Sequence, residues 1–330
     1  MPAATGIPGA PGRRRPVRDD VVVTDHPPAA PTTTAAPPSS LELKRIALVV
    51  HPTRPIDVAL DHVRAWASAN GVAVVQIVAG AHRRVVADPD TVGGCDLVLA
   101  VGGDGTTLQA LHAAATVGRP VLGVACGSLG ALTAVNAEDL GDALERVAGG
   151  RWSPRLLPGL RVTGDGAPSR VAINDVAVVR AGPSQVFVEI HVDGQLYVRY
   201  AGDGLVAATP VGSSAHTMAA GGPLLAERSD GLVLTPLSPH GGCCPPLVVG
   251  ASSAVDLVVQ PGWGGARLEF DGQLSEADAQ PGELRLARQE EYATLVSLGE
   301  SEPLLAGLRR RQILIDSPRV LARDQRVAGS

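Results

Sequence analysis

Apolar positions in the first half of the chain follow two patterns, uninterrupted short runs and spacings of three or four residues. Uninterrupted runs are typical of strands buried in a parallel sheet, and the wider spacing is typical of a helix with one buried face. Alternation of the two predicts a parallel α/β domain. The predicted strands cover residues 45–50, 72–78, 97–101 and 121–125, and the predicted helices cover 56–70, 106–115 and 139–148.

The pattern changes at about Arg151, beyond which the apolar runs are short and interrupted by Gly, Pro or Asp. Such punctuation predicts strands joined by turns, including a hairpin turn at Asp193-Gly194. The expected strands are 171–173, 176–179, 186–192, 196–200, 232–234, 247–249, 255–259, 268–270 and 295–298, before a helix at 302–310.

The predicted fold class is therefore an α/β N-terminal domain with a parallel sheet, followed by a mostly β C-terminal domain. The N-terminal segment of the chain is rich in Pro and Ala, and it has too few apolar residues to offset the entropy cost of ordering. This composition predicts a disordered tail. The end beyond Pro318 is expected to be loose. The expected boundaries are 1–40 for the tail, 41–150 for the α/β domain, 151–300 for the β-rich domain and 301–330 for the terminal helix and loose end.

Composition and charge narrow the functional classes. The 330 residues carry a net charge of −5, so we expect no broad basic surface for nucleic acid or an anionic membrane. Four cysteines are too few for a disulfide scaffold, and they lack zinc-ligand spacing. No apolar run reaches the roughly 20 residues of a transmembrane helix. We expect a cytoplasmic protein with reduced thiols and no nucleic-acid or membrane partner.

A glycine-rich turn with a single acid follows the apolar run at residues 97–101. It consists of Gly102, Gly103, Asp104, Gly105 and Thr106. With Thr106 as the cap of the next helix, backbone N–H groups and the positive end of the helix dipole meet at a site suited to phosphate. A carboxylate repels phosphate, so Asp104 either holds Mg²⁺ or takes a proton from an attacking hydroxyl. The alternative is that Asp104 only caps the turn.

A second turn of small and polar residues lies in the β-rich half. A strand is expected to end at Pro210, Gly212 makes a turn, and a helix with a Ser cap is expected to run to Gly221-Gly222. Hydroxyl and free N–H groups at that helix start would offer donors to a polar ligand. The alternative is an ordinary capped helix after an ordinary turn.

Together, these segments and their intervals resemble the NAD kinase family, which uses ATP or polyphosphate. The glycine–aspartate turn alone is also shared with diacylglycerol and sphingosine kinases. The resemblance covers about residues 45–310. It is carried by segments 102–106, 174–175, 203–204, 209–213, 221–223, 236–240 and 270–273.

The resemblance implies transfer of the γ-phosphate of ATP, or of a phosphate of polyphosphate, to the 2′-hydroxyl of the adenosine ribose of NAD. Asp104 would accept the hydroxyl proton and would serve as a ligand of Mg²⁺, which screens the phosphate charge. A homodimer or homotetramer is expected. The residues that would approach the phosphates are Gly102, Gly103, Gly105 and Thr106.

The same resemblance assigns the residues that would bind NAD. Asn174 and Asp175 would hydrogen-bond the adenosine, with Asn174 reading the adenine edge. Asp203 would accept a hydrogen bond from the nicotinamide carboxamide of a neighbouring site in the oligomer. The dinucleotide pocket would also contain Ser213, Ser214, Ala215 and His216.

Several positions depart from the family pattern. Asp175 stands where the family usually has Glu, and His216 stands where a Tyr usually stacks. Ala125-Cys126, at the small-residue turn 126–130 that follows the predicted strand 121–125, stands where the family usually has Asn. These changes keep open the alternative of a catalytically degenerate NAD-binding paralogue, and the shared glycine–aspartate turn keeps open a lipid kinase of the same superfamily. His112, on the central helix, is interpreted as a packing residue.

Overall fold

The first half of the chain folds as alternating strands and helices. The structure, a computed structural model, describes residues 41–77, 84–164, 167–226, 229–274, 281–299 and 304–328. The elements of the first half are β1 (Arg45–Val50), α1 (Asp57–Asn70), β2 (Ala73–Gln76), β3 (Leu97–Gly102), α2 (Asp104–Ala115), β4 (Pro120–Ala125), β5 (Val135–Asn136) and α3 (Leu140–Ala148).

A parallel sheet with the order β2-β1-β3-β4 forms the centre of this half. Helices α1 and α3 pack on one face and α2 packs on the other, so β3 and β4 are buried along their whole length. The carboxyl ends of parallel strands meet at one edge of a sheet, where ligands of α/β folds bind. Gly102, the last residue of β3, lies at that edge.

The second half is mostly β-structure. Short 3₁₀ turns lie at Val92–Gly94 and Ala137–Asp139 in the first half and at Gly212–Ser214 in the second. The remaining elements are β6 (Ser153–Gly164), β7 (Ala167–Ala172), β8 (Asp175–Arg180), β9 (Val186–Val192), β10 (Gln195–Gly202), β11 (Gly204–Ala208), α4 (His216–Ala219), β12 (Leu232–Leu237), β13 (Leu247–Val249), β14 (Val255–Gln260), β15 (Ala266–Phe270), β16 (Gln273–Leu274), β17 (Glu283–Ser297), α5 (Leu304–Arg310) and α6 (Pro318–Ala328).

The strands of the second half form two sheets that share one apolar core. A six-stranded antiparallel sheet has the order β13-β12-β11-β8-β15-β16. The other strands extend the parallel sheet of the first half, because β17 pairs in parallel with β4 and antiparallel with β6 and β14. Side chains from both sheets meet in the core, including Ile190 and Leu257 from one sheet and Val178 and Leu234 from the other.

The predicted fold class is confirmed, and the differences are local. Helix α2 begins at Asp104, so Thr106 lies inside the helix and does not cap it. The helix expected to have a Ser cap is split into a 3₁₀ turn and the short α4, which follows Ala215. Residues from Pro318 to Ala328 form a helix where a loose end was predicted. The predicted disordered tail at 1–40 lies outside the described residues.

Candidate active site

The turn after β3 places Asp104 at the first position of α2. Gly102 is buried, and a side chain there would overlap Thr106 Oγ1 and crowd His51. Only a residue without a side chain therefore lets α2 start this close to the sheet. The first N–H groups of a helix lack partners within the helix and carry the positive end of its dipole. The start of α2 is thus a site suited to an anion.

Two backbone N–H groups hold the carboxylate of Asp104. Ala131 N donates to Oδ2 at 2.9 Å, and Leu132 N donates to Oδ1 at 2.9 Å. Gly130 makes this approach possible, because a Cβ atom at that position would overlap the carboxylate. Asp104 therefore binds the chain segment after β4, and does not cap its own turn. A carboxylate has about four acceptor positions, so about two remain for a ligand.

Asp104 faces a cleft of about 1610 Å³. The floor is one face of α2, since residues 104, 105, 108, 109, 112 and 113 line it at helical spacing. One wall is the glycine turn 126–130 after β4, and the opposite wall is formed by 169–171, 270–273 and Tyr292. Drug-sized pockets measure roughly 300–1000 Å³, so this cleft has room for more than one nucleotide.

Three arginines line the cleft, namely Arg54, Arg170 and Arg311. Nη1 of Arg54 lies 3.1 Å from the position that a Cβ atom would take on Gly103 and 3.8 Å from the same position on Gly127. The Arg54 guanidinium therefore lies over both glycine turns. Together with backbone N–H groups, guanidinium groups give this end of the cleft the chemistry that binds phosphate.

Asp271, on the opposite wall, accepts four hydrogen bonds although its side chain is only 3% exposed. Its Oδ1 accepts from Asn174 N at 2.6 Å and from Asp175 N at 3.1 Å. Its Oδ2 accepts from Ile173 N at 2.9 Å and lies 2.6 Å from His112 Nε2. Asp271 thus connects the central helix α2 with the backbone that carries Asn174.

The interpretation of His112 as a packing residue is wrong. Its side chain is 33% exposed and lies on the cleft face of α2. Besides Asp271, it contacts Tyr292, with 3.2 Å between Nδ1 and the tyrosine hydroxyl oxygen. The sequence contained a signal for this position, because His112 follows Asp104 by eight residues and so lies on the same helical face.

Asn174 follows β7 and Asp175 begins β8; both donate backbone hydrogen bonds to Asp271, and neither is among the residues that line the cleft. The Oδ1 atom of Asn174 is buried and has no hydrogen-bond partner in the described part of the chain. A buried acceptor without a partner costs free energy that a ligand donor can recover. Burial, and next the charges of Asp271 and Glu269, raise the pKa of Asp175 to about 7. Asp175 therefore exchanges its proton near neutral pH.

Asp203 lies away from the cleft. Its Oδ1 accepts a hydrogen bond of 2.6 Å from Arg180 Nε, and it is not among the residues that line the cleft. Arg180 also donates to Gly182 O at 2.8 Å. The structure therefore places Asp203 in an ion pair at the ends of β8 and β10, and does not bring it together with Asp104.

The segment with Ser213, Ser214, Ala215 and His216 also lies outside the cleft lining. Ser213 is fully buried, and its hydroxyl donates to the carbonyl of Pro210 at 2.6 Å. The turn nevertheless lies directly against Asn174, because a Cβ atom on Gly212 would overlap the Asn174 backbone. The segment is therefore a neighbour of the predicted adenosine site through Asn174.

The sequence analysis assigned no role to four residues that line the cleft: Arg54, Arg170, Tyr292 and Arg311. Arg54 carried a signal, because it follows the carboxyl end of a predicted parallel strand, at the sheet edge where ligands bind. Tyr292 and Arg311 carried no local signal, since their place depends on how β17 and the chain after α5 return to the cleft.

The described residues contain neither a candidate membrane-spanning helix nor a preformed cluster of metal ligands. No helix among them has the length and apolar character needed to cross a membrane. No group of three or more His, Cys, Asp or Glu residues in the described ranges is arranged to hold a metal ion.

Comparison with known proteins agrees with the geometry of the cleft. The family model described as ATP-NAD kinase N-terminal domain matches residues 51–152, and the one described as ATP-NAD kinase C-terminal domain matches residues 173–298. An NAD kinase of Symbiobacterium thermophilum is 34% identical over 271 residues, which are 78% of this chain and 94% of that protein. An NAD kinase of Heliobacterium modesticaldum is 37% identical over 210 residues, which are 62% of this chain and 74% of that protein.

Two solved structures share the fold. One is yeast NADH kinase complexed with NADH, with a TM-score of 0.69, 19% identity, and coverage of 84% of this chain and 89% of that one. The other is an NAD kinase from Archaeoglobus fulgidus in complex with ATP, with a TM-score of 0.63, 22% identity, and coverage of 80% and 98%.

An aspartate at a helix start, facing a cleft with arginines and glycine turns, is the arrangement expected of a nucleotide-dependent phosphotransferase. The fold around it combines a parallel α/β sheet with a β-sandwich. Both family models and the relatives that span most of the chain identify which phosphotransferase family this is. The chain belongs to the NAD kinase family.

Proposed function

We propose that this protein transfers the γ-phosphate of ATP to the 2′-hydroxyl of the adenosine ribose of NAD, giving NADP and ADP. The observation that carries the proposal is the position of Asp104, which is held by two N–H groups at the start of α2 and faces the cleft. Membership of the NAD kinase family supports both substrates.

The donor phosphates bind at the two glycine turns and the start of α2. Gly103 and Gly105 leave the backbone open to an approaching phosphate, and the helix dipole favours its charge. Thr106 lies in the first turn of the same helix, and Gly102 leaves the room that this turn needs. Arg54, whose guanidinium lies over both turns, supplies a positive charge there. Polyphosphate presents the same groups as ATP, and comparing the two donors in the assay below decides between them.

In the transfer, the ribose 2′-oxygen bonds to the γ-phosphorus as the bond to the β,γ-bridging oxygen breaks, and the hydroxyl proton passes to the Asp104 carboxylate. Phosphoryl transfer has a loose transition state in which the proton leaves late, so orientation matters more than basicity. The N–H groups of Ala131 and Leu132 supply that orientation, because they fix both carboxylate oxygens.

Asp104 also fits as a ligand of Mg²⁺. This ion is commonly bound by one or two carboxylates together with substrate phosphates, and about two acceptor positions of Asp104 remain open. Such an ion neutralises charge on the donor phosphates when it is bound. The described residues contain no larger ligand cluster, so the metal would arrive with the donor nucleotide.

The acceptor adenosine binds at the opposite wall. Asn174 Oδ1 accepts a hydrogen bond from the adenine amino group, which gives that buried oxygen the partner it lacks within the described residues. Asp175 contacts the ribose, and its raised pKa lets it donate as well as accept near neutral pH. Ser213, Ser214, Ala215 and His216 line the continuation of this site behind Asn174.

Asp203 serves the nicotinamide end of a dinucleotide bound to a neighbouring subunit. Its place outside the cleft is consistent with a contact made across an oligomer interface. This role of Asp203 rests on the family resemblance of the Asp203-Gly204 segment. The resemblance to the family as a whole supports a homodimer or homotetramer, and the composition and cysteine usage of the chain support a cytoplasmic location.

Neither alternative is favoured by an observation. A lipid kinase would match the glycine–aspartate turn, whereas the family models match both the α/β part and the β-rich part. A degenerate paralogue would bind NAD without turnover, and calorimetry beside the kinase assay separates the two.

The test is an assay of the full chain with NAD, ATP and Mg²⁺, in which a coupled dehydrogenase detects NADP. We expect Asp104→Asn to lower NADP formation by about 10²- to 10⁴-fold, the usual contribution of general acid–base catalysis. NAD binding, measured by calorimetry, should stay within about threefold, because the adenosine site is on the other wall. Asp142→Asn, the same change in the first turn of α3, is the matched control. Normal turnover of Asp104→Asn would refute the assignment.

A further inference from the structure

The cleft contains one titratable cluster that the proposed mechanism does not use: His112, Asp271 and Tyr292. Asp271 belongs to the loop after β15, His112 to the central helix, and Tyr292 to β17. Asp271 and Tyr292, which follow His112 by 159 and 180 positions in the sequence, therefore both contact its imidazole. Asp271 is also unusual in its backbone, because its φ of 51° is positive although it is not glycine.

The hydrogen bonds of Asp271 determine how the imidazole is protonated. An aspartate carboxylate has about four acceptor positions, and three of them receive the backbone N–H groups of Ile173, Asn174 and Asp175. These contacts require Asp271 to act as an acceptor. Nε2 of His112, 2.6 Å from Oδ2, must therefore carry the proton that makes the fourth bond. The Tyr292 hydroxyl then meets Nδ1 of the same ring.

The hydrogen bond between His112 and Asp271 also affects the position of the backbone that Asp271 holds. Residues 173–175 are fixed by that carboxylate and lie beside Gly212, so Asp271 sets where Asn174 stands. His112 in turn ties Asp271 to α2, the helix that begins with Asp104. About 12 Å of helix separates residues 104 and 112, at about 1.5 Å per residue. Helix α2 thereby fixes the spacing between the phosphoryl-transfer end and the adenosine end of the cleft.

We propose that His112 is a positioning residue that sets the distance between the acceptor adenosine and Asp104 through its hydrogen bond to Asp271. This inference rests on the proposed function. An acceptor hydroxyl displaced by about 1 Å loses up to 10²-fold in rate, so a small shift of residues 173–175 is enough to matter.

A pair of variants tests the Asp271 bond separately from the bulk of the ring. In His112→Gln the side-chain N–H can take the place of Nε2 and keep the bond to Asp271, whereas in His112→Asn it takes the place of Nδ1 and leaves Asp271 one donor short. We expect His112→Asn to raise KM for NAD and lower kcat by about tenfold each, with KM for ATP within about twofold. His112→Gln should stay within about threefold of the wild type, and Tyr292→Phe should resemble His112→Gln.

Equal effects of His112→Gln and His112→Asn would overturn the proposal, as would a rise in KM for ATP alone. Calorimetric binding of NAD to the same variants gives the ranking without turnover, so it tests the inference even where the chain makes no NADP. If His112→Asn does not fold, nitrogen NMR of the imidazole groups in the wild-type protein tests the proposal instead. We expect His112 to carry its proton on Nε2 and to shift when NAD is added but not when ATP is added alone; a proton on Nδ1 only would refute the proposal.

Discussion

At the scale of the residue, three aspartates in and beside the cleft differ in what surrounds their carboxylates. Asp104 accepts two N–H groups and keeps open positions that face the cleft. Asp271 accepts four and is saturated. Asp175 is buried and keeps its proton to about neutral pH. These environments, and not the residue type, make Asp271 a backbone anchor and support the roles proposed for Asp104 as proton acceptor and Asp175 as adenosine contact.

The first residue-scale prediction concerns Gly130. Gly130→Ala should lower kcat by about 10²-fold or more, because the new methyl group overlaps the Asp104 carboxylate and displaces it. The check is steady-state kinetics beside a thermal melt. Gly250→Ala is the control, since its Cβ atom would meet only Ser253 Oγ, at 3.9 Å. Unchanged kcat in Gly130→Ala would mean that the position of Asp104 is irrelevant to the transfer.

The second residue-scale prediction concerns the pH dependence of stability. The pKa of Asp175 is about 7 in the folded protein and near 3.8 in the unfolded chain, so between these values the folded state binds more protons. This group therefore makes stability fall as pH rises from about 4 to about 7, with no further loss above. Asp175→Asn should exceed the wild type at pH 8 by on the order of 2 kcal/mol and by less at pH 5. Urea unfolding at both pH values checks this; the same difference at both would contradict it.

At the scale of the element, α2 combines the functions of the cleft. Its start carries Asp104 and the dipole end, its exposed face forms the floor, and its third turn carries His112. Its opposite face, including Ala110, Leu111 and Ala114, is buried against the parallel sheet. Because the buried face is fixed by packing, the exposed face cannot rotate, and the two ends of the site keep their spacing.

The element-scale prediction separates helix stability from ligand binding. A Cβ atom on Gly105, the second residue of α2, would meet nothing within 4 Å of the protein. Gly105→Ala should therefore leave stability unchanged or raise it by up to about 1 kcal/mol. KM for ATP should nevertheless rise by about tenfold, because the methyl group occupies the space of an approaching phosphate. Gly141→Ala, at the second residue of α3, is the matched control; an unchanged KM for ATP would remove Gly105 from the phosphate site.

At the scale of the whole molecule, β17 joins the two parts of the fold. It pairs with β6 and β14 in the β-rich part and with β4 of the parallel sheet. The sequence analysis expected only its last residues, 295–298, to form a strand, because its first half is rich in Arg, Gln and Glu. Register with β6 along most of its length makes the strand of 15 residues that the structure shows.

For the molecule as a whole, we predict that the protein forms an oligomer. Strand β10 ends the larger sheet, and Leu196 on it and Phe187 on the neighbouring β9 are 46% and 56% exposed. An edge strand with exposed apolar side chains favours association, although Ala201 at the end of β10 is bridged to His240. We expect the full chain to sediment as a dimer or tetramer, and Phe187→Glu to lower the mass. Ile315→Glu, which replaces a more exposed apolar side chain (76%) after α5, is the control; a monomeric wild type would refute the prediction.

Much of the site was predictable because its signals are local. The glycines around Asp104, the following helix and the alternating strands each depend on residues within a few positions of one another. The role of Gly130 was not predictable, because it depends on the 2.9 Å contacts between Asp104 and residues 131 and 132. The role of His112 was missed for the same reason, since its partners are 159 and 180 positions away.

The sequence by itself determined the order and type of most elements and the chemistry of the glycine–aspartate turn, because apolar periodicity and turn residues act over short distances. Only the tertiary structure decided which groups meet: Asp271 with His112, Arg54 with both glycine turns, and Asp203 with Arg180 outside the cleft. Such meetings depend on how complete sheets and helices pack, and no short stretch of sequence encodes that.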